Sequence, residues 1–271
     1  MTEAPASPAG PIIETADLHA KFGKHRVLRS IDVAVKRGET VAVIGESGCG
    51  KTVLLKMLVG LIPPSKGEVK IDGRSLGDLA EEELVEQRLR FGFVFQQAAL
   101  FDSLNVFENV AFGLRAHREL DEMQLRAEVK DRLEEVGLST DIVAKMPMEL
   151  SGGMRKRVGL ARALALKPEV MLYDEPTTGL DPIMSDVINE LILRTKARRH
   201  ATSVVVTHDM NSAKKIADRV VMLFPLSRLK EGENQVIFDG TPTALDAADD
   251  PRVRQFVRGE AGERLSESAE E

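Results

Sequence analysis

Residues 45–52 read Gly45-Glu46-Ser47-Gly48-Cys49-Gly50-Lys51-Thr52, which fits the pattern G-x-x-x-x-G-K-[ST]. An apolar strand is predicted just before this stretch, at 40–44, and a helix just after it, at 51–60. Glycines at these spacings let backbone N–H groups curl around phosphate oxygens, and the start of the helix adds a favourable dipole. The stretch therefore predicts a phosphate-binding loop in which all eight residues surround a phosphate group.

Two side chains of this loop carry its chemistry. Lys51 would neutralise the terminal phosphates of a nucleotide, and the Thr52 hydroxyl would be a ligand of Mg²⁺. The alternative is a glycine-rich turn before an unrelated helix. It is disfavoured because a strand and a helix flank the loop on the expected sides.

A pair of carboxylates follows a second apolar strand, in the stretch Val170-Met171-Leu172-Tyr173-Asp174-Glu175-Pro176. Parallel strands of α/β proteins bind ligands at their carboxyl ends, where Asp174 and Glu175 would emerge. Asp174 is expected to contact Mg²⁺ through water, and Glu175 to polarise the attacking water. Solvated acids at an ordinary strand end are the alternative, which the presence of the phosphate-binding loop disfavours.

A third feature, Ser151-Gly152-Gly153, precedes a strongly helical segment. Ser151 has the character of an N-cap, and the two glycines leave the start of the helix open to an anion. The feature predicts a second helix end that contacts phosphate. A plain capped helix is the alternative, and this stretch by itself leaves it open.

The composition limits the class of protein. With 271 residues, of which 43% are hydrophobic and 30% charged, the chain can bury the core of one large domain or of a domain with a subdomain. The formal net charge of −6 argues against a general nucleic-acid-binding surface. A single cysteine, Cys49, excludes an intramolecular disulfide.

Apolar stretches fall short of the roughly 20 residues of a membrane-spanning helix, and no signal peptide is predicted, so a cytosolic protein is expected.

Strand-like and helix-like segments alternate along most of the chain, which predicts an α/β core with parallel strands. The first 40 residues and the stretch 67–72 are expected instead to form an antiparallel meander. A helix-rich insert is expected at about 97–166. Residues 1–11 are predicted to be a flexible lead-in, and the acidic last residues are expected to be frayed.

The order of these motifs resembles that of the ATP-binding cassette (ABC) ATPases. The matching residues are, in chain order, the loop ending at Lys51-Thr52, Gln96 as the loop glutamine, the signature Ser151-Gly152-Gly153, Asp174-Glu175, the turn Gly179-Leu180-Asp181, and His208. The likeness spans residues 12–240. It implies a P-loop NTPase (RecA-like) α/β core with an antiparallel β subdomain and a helical subdomain at about 97–166, followed by a C-terminal extension at 241–271.

The resemblance also implies a head-to-tail pair of cassettes, with two ATP molecules held between the loop of one subunit and the signature of the other. Gln96 would join Thr52 in sensing Mg²⁺ and would relay to a membrane partner. His208 would contact the γ-phosphate. Glu175, His208 and Gln96 then form the expected catalytic set.

Other positions are assigned by the same resemblance. Asp181 would organise the dimer seam, and Phe22 would stack on adenine, since stacking needs only a π face; a buried core position is the alternative for Phe22. Cys49, beside a helix N-terminus, is either a thiol of lowered pKa or an inert small side chain. Met154 replaces the family's usual glutamine and Thr177-Thr178 replaces the common Ser-Ala, but neither change removes a ligand.

Three segments are similar to the MlaF-type cassette subunits of Mla/MCE lipid transporters, namely 95–112, 146–154 and 250–257. This resemblance implies an ATPase subunit that powers phospholipid or other hydrophobic-lipid transport through a partner permease and an MCE protein. Its expected place is the cytoplasmic face of the inner or plasma membrane. The stretch 224–234 is longer than the usual hairpin and departs from the MlaF pattern.

Two other functions stay open. The ATPase of a small-molecule importer, for example of an amino acid, would carry the same motifs. A soluble ABC protein that acts on nucleic acid or ribosomes usually has two cassettes or a long coiled-coil insertion. This chain has one cassette, no heptad run and an acidic net charge, so no nucleic-acid partner is expected.

Overall fold

The computed structural model describes residues 10–260, which form two β-sheets with helices packed around them. The strands of this part of the chain are, in order, β1 (Ile13–Phe22), β2 (His25–Val35), β3 (Thr40–Gly45), β4 (Lys66–Ile71), β5 (Arg74–Ser75), β6 (Phe91–Val94), β7 (Val170–Asp174), β8 (Thr202–Val206), β9 (Arg219–Leu223) and β10 (Val236–Gly240). The α-helices are α1 (Lys51–Leu58), α2 (Glu81–Leu89), α3 (Val106–His117), α4 (Glu122–Glu135), α5 (Gly152–Leu164), α6 (Pro182–Arg199), α7 (Met210–Ile216) and α8 (Pro251–Arg258).

The smaller sheet is antiparallel, with the strand order β2-β1-β4-β5. The meander expected from the first 40 residues and the stretch 67–72 is thus confirmed. Its inward side chains, which include Ile13, Leu28 and Val69, are buried against α1 and the larger sheet in one cluster. The smaller sheet therefore packs against α1, the helix that begins at the phosphate-binding loop.

The larger sheet has the order β10-β9-β3-β8-β7-β6, and only its edge strand β10 runs antiparallel to its neighbour. Every residue of β3, β7 and β8 is buried, which explains their continuous apolar sequence. Because the strands are parallel, their carboxyl ends meet at one edge. The phosphate-binding loop, Gln96, Glu175 and His208 all follow strands at this edge.

The insert expected at about 97–166 contains α3, α4 and α5. Val110, Leu133 and Leu164 from these three helices are buried in a cluster that also holds Tyr173 of β7. The helices are therefore packed on one another and on the larger sheet. The expected subdomain bounds stay a prediction.

One helix, α8, was not expected from the sequence pattern. Asp250 caps it by accepting a hydrogen bond from the N–H of Arg252, and Pro251 occupies its first turn. Val253 of α8 is buried with Ala42 and Ile44 of β3, so this part of the extension packs on its own chain. The expected flexible lead-in lies, up to residue 9, outside the described residues, as does the end beyond 260 that was expected to be frayed.

A helix that crosses a membrane must be both long and apolar. Among the helices of residues 10–260, none combines the length and apolar character that crossing a bilayer requires.

Candidate functional site

A cavity of about 550 Å³ opens at the carboxyl edge of the larger sheet. Its lining residues come from the phosphate-binding loop, from β2, from α8 and from the segments after three strands: Val27, Gly45, Glu46, Ser47, Gly48, Gly50, Lys51, Thr52, Val53, Gln96, Glu175, His208 and Phe256. Residues from four separate sequence motifs are therefore brought to one wall. Cys49 is the loop residue that is not among them.

The loop needs glycine at two of its turns. Gly45 has φ +141° and Gly50 has φ +97°. A Cβ on Gly45 would lie 2.3 Å from the carbonyl oxygen of Leu223, and one on Gly50 would lie 2.6 Å from Leu28. Gly50 is also the N-cap of α1 and offers no side-chain cap, so the first N–H groups of α1 are left for an anion.

Lys51 lies buried at the start of α1. Its Nζ donates hydrogen bonds of 2.8 Å to the carbonyl oxygens of both Gly45 and Glu46. The loop backbone therefore holds the ammonium at the wall of the cavity, where it would attract phosphate oxygens.

Thr52 and Asp174 form a polar pair across the sheet edge. The Thr52 hydroxyl donates to Oδ1 of Asp174 at 2.8 Å. Burial raises the pKa of Asp174, and the hydrogen bond from Thr52 opposes that rise. A cation bound beside the pair would favour the charged carboxylate.

The available donors fit a hard divalent cation. A hydroxyl, a carboxylate and the amide of Gln96 are oxygen donors of the kind that Mg²⁺ prefers. Residues 10–260 contain no group of three or more His, Cys, Asp or Glu placed to hold a metal.

Glu175 is fixed from several directions. Its backbone has φ +49°, and its N–H donates to the carbonyl oxygen of Val206 at 2.9 Å. The Thr178 hydroxyl donates to Oε2 of Glu175 at 2.9 Å, and Nδ1 of His208 lies 2.7 Å from the same oxygen. The carboxylate is therefore held beside the cavity that the phosphate-binding loop surrounds.

A second cavity of about 300 Å³ adjoins the first. Its lining residues come from the segment after β6, from α5 and from the turn before α6: Gln96, Gln97, Ala98, Gly152, Arg155, Lys156, Thr178, Gly179 and Leu180. Gln96 lines both cavities. Gln96 is thus the one residue that the two linings share.

The signature residues and Asp181 do not line the cavity around the loop of the same chain. Ser151 is the N-cap of α5 and accepts from the N–H of Met154, and Asp181 is the N-cap of α6 and accepts from the N–H of Met184. A Cβ on Gly153 would lie 2.7 Å from the end of Met184. Ser151, Gly153 and Asp181 line neither cavity.

The aromatic residue at the first cavity is not the one expected. Phe22 ends β1, is 48% exposed and does not line the cavity, whereas Phe256 of α8 does. The signal for α8 was present in the sequence, because Val253, Phe256 and Val257 recur at helical spacing after an Asp-Pro start.

Cys49 is buried in the loop. Burial raises the pKa of its thiol more than the neighbouring Lys51 lowers it. Of the two alternatives left open for Cys49, a lowered pKa is therefore wrong, because desolvation outweighs the attraction of Lys51 and the backbone hydrogen bonds. Cys49 fits the description of an inert small side chain.

The stretch 224–234, which departs from the MlaF pattern, contacts the phosphate-binding loop. The Arg228 guanidinium pairs with the Glu46 carboxylate. Just after the stretch, Nε2 of Gln235 donates to the carbonyl oxygen of Cys49 at 3.0 Å. These contacts join the C-terminal third of the chain to the outer side of the phosphate-binding loop.

A phosphate-binding loop at the carboxyl edge of a parallel sheet, with a fixed glutamate and histidine beside it, defines a P-loop nucleotide hydrolase. The family model described as "ABC transporter" matches residues 28–178, and the chain belongs to this family. It is an ATP-binding cassette ATPase, and the fold class expected from the motifs is confirmed.

Relatives of known sequence cover most of the chain. The "Probable ribonucleotide transport ATP-binding protein mkl" of Mycobacterium leprae is 40% identical over 252 residues, which are 93% of this chain and 70% of the relative. The "Intermembrane phospholipid transport system ATP-binding protein MlaF" of Haemophilus influenzae is 41% identical over 250 residues, 92% of this chain and 91% of the relative. The predicted likeness to MlaF-type subunits is thus confirmed.

A solved structure shares the fold. It is the dimeric post-hydrolysis state of the ATP-binding cassette MJ0796 bound to ADP and Pi. The TM-score is 0.74 at 32% identity, covering 85% of this chain and 98% of that chain.

Proposed function

We propose that this chain is the ATPase subunit of a transporter that moves phospholipid or another hydrophobic lipid through a partner permease and an MCE protein. The observation that supports the cargo is the 41% identity to the H. influenzae MlaF protein over nearly the full length of both chains. As such a subunit, the chain would bind at the cytoplasmic face of the inner or plasma membrane.

The active unit in this proposal is a head-to-tail dimer of the chain. Ser151, Gly152 and Gly153 stand at the start of α5 and do not line the cavity around the loop of their own chain, so we assign them to a nucleotide on a second copy. Asp181 would lie at the seam. The dimeric state of the MJ0796 cassette supports this arrangement.

The phosphates of ATP would lie on the N–H groups of the loop and against Lys51. Thr52, Asp174 and Gln96 would hold Mg²⁺, which when bound neutralises charge on the phosphates. Glu175 would polarise the attacking water, and His208 would contact the γ-phosphate. Phe22 remains the proposed stacking partner of adenine.

Hydrolysis at this site is tested with Glu175→Gln. The amide keeps the size of the side chain but cannot accept a proton, so turnover should fall by about 10²- to 10⁴-fold. ATP binding should be unchanged, and ATP should accumulate in a stable dimer. Turnover near that of the unaltered protein would contradict the role of Glu175.

The cargo is tested by isolating the tagged chain from detergent-solubilised membranes of its source. We expect a multi-span permease and an MCE protein to co-purify, with phospholipid in the organic extract of the complex. A ribonucleotide, the cargo in the name of the M. leprae relative, or an amino acid in place of lipid would contradict the lipid proposal. Recovery without any membrane protein would contradict the transporter role.

A further inference from the structure

Lys156 is a buried lysine on α5, the helix that begins at the signature. It is 9% exposed, and its Nζ donates to the carbonyl oxygen of Pro176 at 2.8 Å and to that of Glu175 at 3.4 Å. Burial lowers the pKa of Lys156, while attraction to Glu175 opposes that change. A lysine so removed from water needs such contacts to offset its desolvation.

The carbonyls that Lys156 contacts belong to a backbone segment in an unusual conformation. Glu175 has φ +49°, in the left-handed region that residues with a side chain rarely adopt, and a proline follows it. Such a conformation persists only where the surrounding structure fixes it. On the N–H side the segment is fixed by Val206, and on the carbonyl side it is fixed by Lys156.

We infer that Lys156 is a positioning residue for Glu175, because it holds the carbonyls of residues 175–176 and so aims the carboxylate at the nucleotide cavity. Lys156 lines the second cavity and not the one around the phosphate-binding loop. It therefore does not contact a nucleotide on the loop of its own chain, and it acts on turnover through Glu175.

The position of Lys156 also links two parts of the composite site. Ser151 caps α5 one and a half turns before Lys156, so one rigid helix joins the signature to the turn that carries Glu175. A shift of α5 when a second copy's nucleotide meets the signature would be passed to the Glu175 carboxylate. This inference rests on the proposed role of Glu175.

The first test compares Lys156→Met with Lys156→Arg in the full chain. The Met variant loses the donor, so kcat should fall about tenfold or more while KM and the Kd for ATP stay within about twofold of the unaltered protein. The Arg variant keeps a cationic donor, and the adjoining cavity of about 300 Å³ gives it room, so it should restore most of kcat. Lys130→Met, an exposed lysine on α4, is the matched control and should change nothing.

The decisive test repeats Lys156→Met in the Glu175→Gln background, with residual turnover measured at high enzyme concentration. Once the carboxylate is gone there is nothing left to position, so the second change should lower turnover no further. Equal fold losses in both backgrounds would overturn the inference, as would a Lys156→Met variant with normal kcat or with only KM altered.

A second variant keeps the test decisive if Lys156→Met does not fold. Lys156→Ala also removes the donor, and its smaller side chain leaves room for water at the two carbonyls; the same two backgrounds are compared with the same criteria. Failure of the proposed function is distinguishable, because Glu175→Gln alone would then retain turnover. Loss of turnover in Glu175→Gln with no effect of Lys156 variants would overturn only the positioning role.

Discussion

The Nδ1 atom of His208 lies 2.7 Å from Oε2 of Glu175, and the hydroxyl of Thr178 donates to the same oxygen at 2.9 Å. The other carboxylate oxygen, Oε1, takes part in neither contact. Two partners on one oxygen fix the rotation of the carboxylate, and Oε1 is then the oxygen that would act on the attacking water in the proposed mechanism. The sequence distinguishes Thr178 only as part of Thr177-Thr178, which replaces the Ser-Ala pair common in ABC ATPases.

Thr178→Val is expected to lower kcat roughly tenfold. The change keeps the shape of the side chain but removes the hydroxyl, and a hydrogen bond to a charged group contributes about 1.5–3 kcal/mol. Thr178→Ser keeps the hydroxyl and should retain most of the activity. Steady-state ATP hydrolysis by the two variants checks this, and equal rates for Val and Ser would show that the hydroxyl has no such role.

Asp174→Asn should stabilise the nucleotide-free protein at neutral pH while abolishing hydrolysis. Burial raises the pKa of Asp174, so its charged form is less favourable in the folded than in the unfolded chain. Below the ordinary aspartate pKa of about 3.9 both states are protonated and the cost vanishes; it grows as pH rises through the folded pKa. Asparagine removes this cost and can still accept from Thr52.

The measurement for Asp174→Asn is the free energy of unfolding in urea, in parallel with the unaltered protein. We expect the variant to be more stable at about pH 8 and the difference to shrink as the pH is lowered towards the ordinary aspartate pKa of about 3.9. A variant less stable than the unaltered protein at the higher pH would mean that Asp174 stabilises the fold as an anion.

Gly45→Ala should destabilise the protein much more than Gly48→Ala, although both glycines have positive φ. A Cβ at 45 would lie 2.3 Å from the backbone oxygen of Leu223, whereas a Cβ at 48 meets no atom within 4 Å. We expect a loss on the order of 3 kcal/mol for the first and about 1 kcal/mol for the second. Urea unfolding of both variants checks this, and equal losses would show that the clash is relieved by backbone movement.

The sequence was sufficient for the parallel sheet and for most of the nucleotide cavity, for one physical reason. The apolar runs at β3, β7 and β8 are typical of strands buried on both faces, and their carboxyl ends must meet at one edge. With the strands identified, the loop at 45–52 and the Asp174-Glu175 pair were expected at this edge. His208 was assigned through the resemblance to the ABC family.

Features that depend on long-range packing could not be predicted in this way. Phe256 reaches the cavity because Val253 is buried against β3, a contact between residues about 200 positions apart in the chain. The contact of Thr178 with Glu175 depends on the left-handed backbone of Glu175, which no sequence pattern indicates. The pKa of the Cys49 thiol is raised by burial, and the sequence around Cys49 shows its place before a helix but not how far it is buried.

Phe256→Ala is expected to raise the Kd for ATP by about 3- to 10-fold, because an aromatic contact contributes about 0.5–1.5 kcal/mol beyond the area it buries. Phe256 lines the cavity beside the loop, whereas Phe22 is half exposed and lies outside the lining. Val257→Ala, on the same helix but outside the cavity, is the matched control and should leave the Kd unchanged. Calorimetric titration of the three variants, with Phe22→Ala as the third, separates the two aromatic residues. Phe22→Ala should also raise the Kd, since Phe22 is the proposed stacking partner of adenine and Phe256 would be a second aromatic contact. An unchanged Kd for Phe256→Ala with a raised Kd for Phe22→Ala would assign the base contact to Phe22 alone.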